Sequence, residues 1–345
     1  MNTSPSPLVS TVPDGLTALL DTLSLRGVAL YRGRFATPWS VSFERDTGDG
    51  TCSRDWNEPA NATFHMILSG APCVLRTPGG AAIPVCPGDF VLLPHADPRT
   101  LASDARTPAT PLECALTRGT ITADGWFCYG GNGAITETLC GDFYFAGELR
   151  GMPKTLTHPL LATLPPVIIL RGENNSPQPW LAVMLDAMRC ETTGDRPGHQ
   201  TIVNRLSEIL FIQAVREHLT NGDANCTDTQ YLRALSEGKI APAMLAMHTR
   251  PAEPWSVGSL AATCYLSRSV FAQVFTQKVG ASPLAYLTRW RLFLAGRLLR
   301  GRERLTLAEI AAHVGYGSEA AFSKVFKTHT GTAPGEYRRG FSPTP

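Results

Sequence analysis

The chain repeats itself once near its C-terminus, and that repeat constrains the fold more than any other feature. Phe271-Ala-Gln-Val-Phe275, Gly280-Ala-Ser-Pro283 and Tyr286 recur 51 residues later as Phe322-Ser-Lys-Val-Phe326, Gly331-Thr-Ala-Pro334 and Tyr337. Upstream, Leu260-Ala-Ala262 recurs 50 residues later as Ile310-Ala-Ala312, so the second copy is one residue longer in the intervening turn. Self-similarity at a fixed displacement marks one supersecondary module used twice.

Each copy has the parts of a helix-turn-helix, placed at about 258–280 and about 307–331. The Leu-Ala-Ala and Ile-Ala-Ala triplets put small residues where two helices approach closely. Ser267 and Ser318 are expected N-caps, whose hydroxyls accept from otherwise unpaired amides. Phe271, Val274 and Phe275 fall on one helical stripe, as do Phe322, Val325 and Phe326, and these stripes face a core. Gly315 suits a positive φ in the second turn. The first copy has Tyr265 or Leu266 near that place, so its turn is expected to be made differently. Pro283 and Pro334 suit the first turn of a closing helix, and a helix of about Leu284–Arg300 joins the two units.

The faces opposite the core stripes carry the chemistry. In the first unit that face holds Arg268, Ser269, Ala272, Gln273 and Thr276; in the second it holds Glu319, Ala320, Ser323, Lys324 and Lys327. On a helix lying in the major groove, amide and basic side chains bond base edges and phosphates. Glu319 can accept from a cytosine amino group or stabilise its helix N-terminus. Arg291, with Arg289, Arg297 and Arg300, is available for phosphates from the joining helix. Charge agrees: residues 250–345 carry 13 Lys and Arg against 5 Glu and no Asp, whereas residues 1–249 carry 18 against 24 acidic residues. A basic module on an acidic body is what a phosphate-binding unit attached to another domain looks like, and with the two groove-sized helices it fits double-stranded DNA as the partner.

Upstream, about Pro38 to Phe145 reads as β-rich, with short apolar stretches broken by Ser69-Gly70, Gly79-Gly80 and Pro87-Gly88. Helical periodicity follows over Trp180–Cys190, Gln200–Leu219 and Thr229–Met247. With 43% hydrophobic and 17% charged residues the chain is too apolar to be disordered. No leader is visible at the N-terminus, and the longest apolar run, Leu164 to Leu170, is too short to span a bilayer. The nine cysteines are scattered singles without a CxxC pair. That points to reduced thiols in the cytoplasm and away from a structural zinc site.

Residues 255–340 resemble the DNA-binding domain of the AraC/XylS family. The stretch from Ala308 to Lys327, followed by Gly331, Pro334, Tyr337 and Arg338, is similar to that family's signature along its whole length. Gln273 departs from the pattern, which often has Arg there. Residues Phe64–Gly70, Pro87–His95, Leu139–Gly141 and His158–Pro166 resemble the cupin-type sensor domain of one AraC subfamily. The resemblance implies an α+β chain. Residues 1–155 would form a cupin-like β-barrel that senses a ligand, and residues 156–249 a helical dimerisation and linker segment. Residues 250–345 would form an all-α domain with two helix-turn-helix units joined by a long helix. The implied function is a transcription factor, an activator working as a homodimer with RNA polymerase and regulated by a small effector or stress signal. No catalytic constellation and no cofactor is expected.

Cupin enzymes hold metal through clustered His and a carboxylate. Here His65 lacks an HxH partner, and Pro94-His-Ala-Asp-Pro-Arg99 has Arg99 where a ligating His would stand. A guanidinium does not ligate metal, which leaves only His65, His95 and Asp89 or Asp97, so no metal is expected. His65, His95, Arg99 and Trp126 are the candidate effector residues. Arg99 would bind a carboxylate or phosphate, or else is a loop Arg at the surface. Oxidant-responsive sensors occur in the same subfamily, which makes Cys52, beside Arg54, and Cys128 redox candidates. Cys140, beside an expected turn at Gly141, reads as a buried thiol. Two alternatives stay open: a cupin-type metalloenzyme with an attached DNA-binding domain, and a constitutive regulator whose N-terminal part only dimerises.

Overall fold

The computed structural model describes residues 15–23, 25–43, 61–145, 156, 158–174, 176–192, 196–221, 238–301 and 305–339. The described residues fall into two compact units, one made of those within 24–152 and 161–222 and the other of those within 1–23, 153–160 and 223–345. The division differs from boundaries drawn at 155 and 249. The helices between 179 and 221 group with the sheets, and the segments around Leu19 and His158 group with the C-terminal helices.

The chain enters through α1 (Gly15–Leu20), which belongs to the helical unit, and then builds two sheets. Their strands are β1 (Leu25–Ala36), β2 (Ser40–Phe43), β3 (Ala62–Gly70), β4 (Cys73–Arg76), β5 (Ile83–Val85), β6 (Phe90–Leu93) and β7 (Arg99–Ala102), then, after the short helix α2 (Leu112–Arg118), β8 (Thr120–Ile121), β9 (Trp126–Gly130), β10 (Ile135–Phe145) and, after α3 (Pro159–Thr163), β11 (Ile168–Leu170). The larger sheet runs β11-β6-β3-β10-β1-β9-β8 and the smaller β2-β7-β4-β5. Trp39, Val41, Ile67, Leu75, Val91, Leu93 and Leu101 fill the space between them.

β1 lies outside the expected β-rich stretch. Arg32, Gly33 and Arg34 interrupt its apolar pattern, but it pairs with β10 along nearly its whole length, Leu25 to Ala36. β3 is buried from Ala62 to Ile67 because both its faces are covered, so it reads as a continuous apolar run rather than an alternation. Its Phe64 stacks on Phe90 at 5.3 Å and lies 5.4 Å from Phe143. Gly141 is mid-strand in β10 and not in a turn. A Cβ there would collide with the Phe64 ring, which accounts for a glycine inside a strand.

α4 (Pro179–Thr192) and α5 (His199–Asn221) pack on one another in this unit. Leu210, Phe211, Ala214 and Val215 of α5 are buried, with Phe211 edge-on to Phe143 and Phe145 at 5.6 and 5.0 Å.

In the helical unit α6 (Ala241–Thr249) is the described part of the helix expected over Thr229–Met247; residues 229–237 lie outside the described residues. Then follow α7 (Val257–Thr263), α8 (Arg268–Val279), α9 (Pro283–Arg300), α10 (Leu307–His313), α11 (Glu319–Thr330) and α12 (Pro334–Arg339). α9 is the axle. Its Trp290 and Phe293 are buried against His158 at 6.4 and 5.0 Å, and Trp290 lies 4.6 Å from His248 of α6. Leu156 reaches within 3.3 Å of where a Cβ on Gly296 would sit, so the glycine lets that side chain close on the helix more tightly than a larger residue would without a small shift of the Leu156 side chain. His158 Nε2 meets Thr22 Oγ1 at 2.9 Å and Leu19 O at 3.2 Å. Arg297 donates to Thr22 O at 2.6 Å. Burial pushes the His158 imidazole down to about 3, so it packs as a neutral ring.

Candidate nucleic-acid interface and effector cavity

Both helix-turn-helix units are built by local rules acting on the repeated residues. Ser256 and Thr306 each form a capping box with the residue three positions on, Ser259 and Glu309. Ser267 and Ser318 cap the second helices, accepting from Val270 N and Ala321 N. Gly280 and Gly331 end them in the left-handed conformation at φ 73° and 80°. Phe271, Phe275, Phe322 and Phe326 are fully buried, and Ala261 and Ala311 are buried where each helix pair meets.

The two turns turn out alike, contrary to the expectation that the first is made differently. Tyr265 adopts φ 54° where Gly315 has φ 81°. The next residue closes the turn identically in each: Leu266 N donates to Ala261 O at 3.1 Å, and Tyr316 N to Ala311 O at 2.8 Å. The additional residue of the second copy is Gly317, inserted after this closure and before the Ser318 cap.

Arg291 is half-buried and held inside the unit. Its Nε donates to Pro251 O at 2.8 Å, its Nη2 donates to Glu253 O at 2.7 Å, and the guanidinium lies 5.8 Å from the Tyr316 ring centroid. Burial lowers its pKa and raises that of Tyr316. The side chain expected on DNA phosphate thus ties the segment ahead of α7 to the turn of the second unit. A count of available arginines cannot distinguish the two uses.

The remaining candidates line up on the outside. Arg268, Ser269, Gln273 and Thr276 of α8 are exposed, with Ala272 partly so. On α11 Glu319, Lys324 and Lys327 are exposed, with Ser323 partly so. Glu319 occupies the first helical turn, where a carboxylate complements the helix dipole.

In the sheet unit a cavity of about 660 Å³ lies between the strands and α4, lined among others by Tyr31, Phe43, His65, Arg99 and Cys140 and closed by Leu185 and Met188. Three of the four expected effector residues, His65, Arg99 and Trp126, line it, and two of them, His65 and Arg99, touch each other. Arg99 is buried, with its Nε donating to His65 Nε2 at 2.7 Å and its guanidinium 4.4 Å from the Phe43 ring centroid. Arg99 is therefore not a surface loop residue. Burial and the Arg99 charge hold the His65 imidazole well below its usual range. With Nε2 accepting, the neutral ring carries its proton on Nδ1, which faces Cys140 Sγ at 3.0 Å. β3 and β10 place that pair in register.

The other two sit apart from this cluster. His95 Nε2 bonds Leu164 O at 3.0 Å. Trp126 borders the cavity, but its ring carries Arg34 at 4.3 Å and Arg32 at 5.5 Å. Arg34 also donates to Glu137 at 2.8 Å. The walls contributed by α4 had no local signal in the sequence, because Leu185 and Met188 read as ordinary helix core.

The side chains that would hold a cupin metal do not fit one. His65 presents Nε2 to a guanidinium, and His95 is engaged by Leu164. The Asp89 carboxylate accepts from Cys86 N at 2.9 Å, Gly172 N at 2.9 Å and Arg171 at 2.7 Å. Among the described residues no group of three or more His, Cys, Asp or Glu could hold a metal ion. Of the redox candidates, Cys52 lies outside the described residues. Cys128 is half-buried in a shallow groove lined by Arg34 and Arg118. Burial pushes the Cys140 thiol up to about 12, so it stays protonated and a weak nucleophile. Among the described residues no helix is long and apolar enough to cross a membrane.

Known proteins can be compared with these two parts. The cupin family profile matches residues 14–220, and a helix-turn-helix domain profile matches residues 260–340. The chain is 34% identical over 278 residues to the HTH-type transcriptional regulator AlkR of Acinetobacter baylyi, covering 80% of this chain and 87% of that one. It is 32% identical over 288 residues to an AraC-like transcription regulator of Streptomyces lividans, covering 82% and 88%. It is 29% identical over 291 residues to the RCS-specific transcriptional activator RclR of Escherichia coli, covering 82% and 88%.

Proposed function

Since the chain belongs to the AraC family of transcription regulators, with a cupin domain ahead of an AraC-type helix-turn-helix domain, we propose that it binds promoter DNA as a homodimer through both repeats, under the control of a small effector in the sheet-unit cavity. DNA binding and transcriptional regulation follow from the family. The residues that do the work are our reading. In the first repeat Arg268, Ser269, Gln273 and Thr276 meet one major groove, with Ala272 close enough to pack on a thymine methyl. In the second, Glu319, Ser323, Lys324 and Lys327 meet the next. RNA polymerase is the protein partner, transcription is activated, and the protein works in the cytoplasm as a regulator and not as a catalyst. His65 and Arg99 are the polar groups that orient the effector against the apolar walls.

The observation that carries this reading is that two copies of one module leave the same face uncovered, and in both copies that face is polar. The test is quantitative footprinting across a salt series, beginning with DNA that flanks the protein's own gene. Lys324→Ala is expected to weaken binding and to lower the slope of log K against log salt by about one, the signature of one phosphate contact removed. Unchanged affinity and slope would refute the assignment.

A further inference from the structure

Tyr265 is anomalous in two ways at once. Its backbone is left-handed at φ 54°, a conformation that L side chains rarely adopt, and its side chain is 98% exposed. The strain is not offset by packing, because the ring touches almost nothing of its own chain. The second unit meets the same backbone demand with Gly315, which carries no side chain. The first unit therefore keeps a bulky phenol where a glycine would satisfy the turn. The turn bonds from Tyr265 N to Ala262 O and from Leu266 N to Ala261 O hold the backbone there, and residues held in such sparsely populated conformations cluster at active sites and ligand clamps.

The position suggests its use. Tyr265 stands three residues before Arg268 and two before the Ser267 cap, at the N-terminal end of the helix whose exposed face carries Ser269 and Gln273. We infer that Tyr265 is a DNA contact of the first repeat, donating its phenolic O–H to a backbone phosphate beside the groove entered by α8. The inference rests on the DNA-facing surface proposed above and adds a residue that the second repeat lacks. Phosphate contacts position a protein without reading sequence, so Tyr265 strengthens binding to operator and unrelated duplex alike.

The test uses the full chain with Tyr265→Gly and Tyr265→Phe, and Lys324→Ala alongside. Glycine relieves the backbone, so the melting temperature of Tyr265→Gly is expected to hold or rise while its DNA affinity falls about tenfold, the value of one hydrogen bond to a charged group. Tyr265→Phe should lose a similar factor with no change in melting temperature. In both variants the salt slope stays at the wild-type value, since no cation is removed. Wild-type affinity in either variant overturns the contact, and a lower melting temperature in Tyr265→Gly overturns the premise that the ring is unpacked. If Lys324→Ala also binds normally, the fault lies in the proposed interface; if only the Tyr265 variants do, it lies in this inference.

Discussion

Replacing Gly315 with alanine tests how the second helix-turn-helix is locked to its surroundings. Gly315 has φ 81°, and a Cβ built on it lies 2.7 Å from both Cα and O of Ala252 and 2.8 Å from Arg291 Nη2. Two penalties therefore add. A left-handed alanine costs about 1–2 kcal/mol. Forcing a methyl against backbone atoms that cannot swing away costs about 1–3 kcal/mol more. Gly331→Ala is the internal control, because Gly331 has nearly the same φ, 80°, and nothing within 4 Å of its Cβ position. Gly331→Ala should lose about 1–2 kcal/mol and Gly315→Ala about 2–5 kcal/mol, measured as the change in unfolding free energy from urea titrations of the full chain. The Arg291 tie is displaced in the first variant only, so DNA affinity should fall further there. Losses equal to within about 0.5 kcal/mol would refute the crowding argument and leave dihedral strain as the whole effect.

Three further outcomes follow from the same geometry. Arg291→Gln should cost about 2 kcal/mol of stability through its two lost carbonyl contacts; the salt slope of DNA binding should not move, and a drop of about one would return Arg291 to the phosphate backbone. His158 is held at about 3 by burial, below its unfolded value near 6.5, so its contribution is complete above about pH 6.5 and is lost as pH falls through that value toward 3. Wild type should therefore lose about 3 kcal/mol more than His158→Gln between pH 7 and pH 4 in chemical denaturation, and parallel pH profiles would contradict a buried neutral ring. Asp89→Asn removes a buried charge from Arg171 and two main-chain amides, so it should cost about 2–3 kcal/mol, read as a lower thermal midpoint; a variant as stable as wild type would mean that the carboxylate is not the latch between the start of β6 and the end of β11.

Local physics was sufficient for the C-terminal modules. Caps and core stripes depend on residues within one or two turns of each other, so Ser267, Phe271 and Phe275, and their twins Ser318, Phe322 and Phe326, were legible in the linear chain, whereas Gly280 and Gly331 stood out there only as repeated glycines and the structure shows them as left-handed stops. The polar faces were legible for the same reason, since a face is the complement of its stripe. The chain alone could not say which arginine is spent inside the fold. Arg291 and Arg289 are two positions apart on α9, yet one is tied to carbonyls 38 and 40 residues away in sequence and the other is exposed. The same limit governed the sensor. His65, Arg99 and Cys140 come together only because β3, β7 and β10 are brought together by pairings remote in sequence, and α4 closes the cavity with side chains that look like any helix core. Nearest-neighbour geometry is written in the order of residues. The partner of a long polar side chain is set by which distant backbone arrives beside it, and that is decided when the whole unit packs.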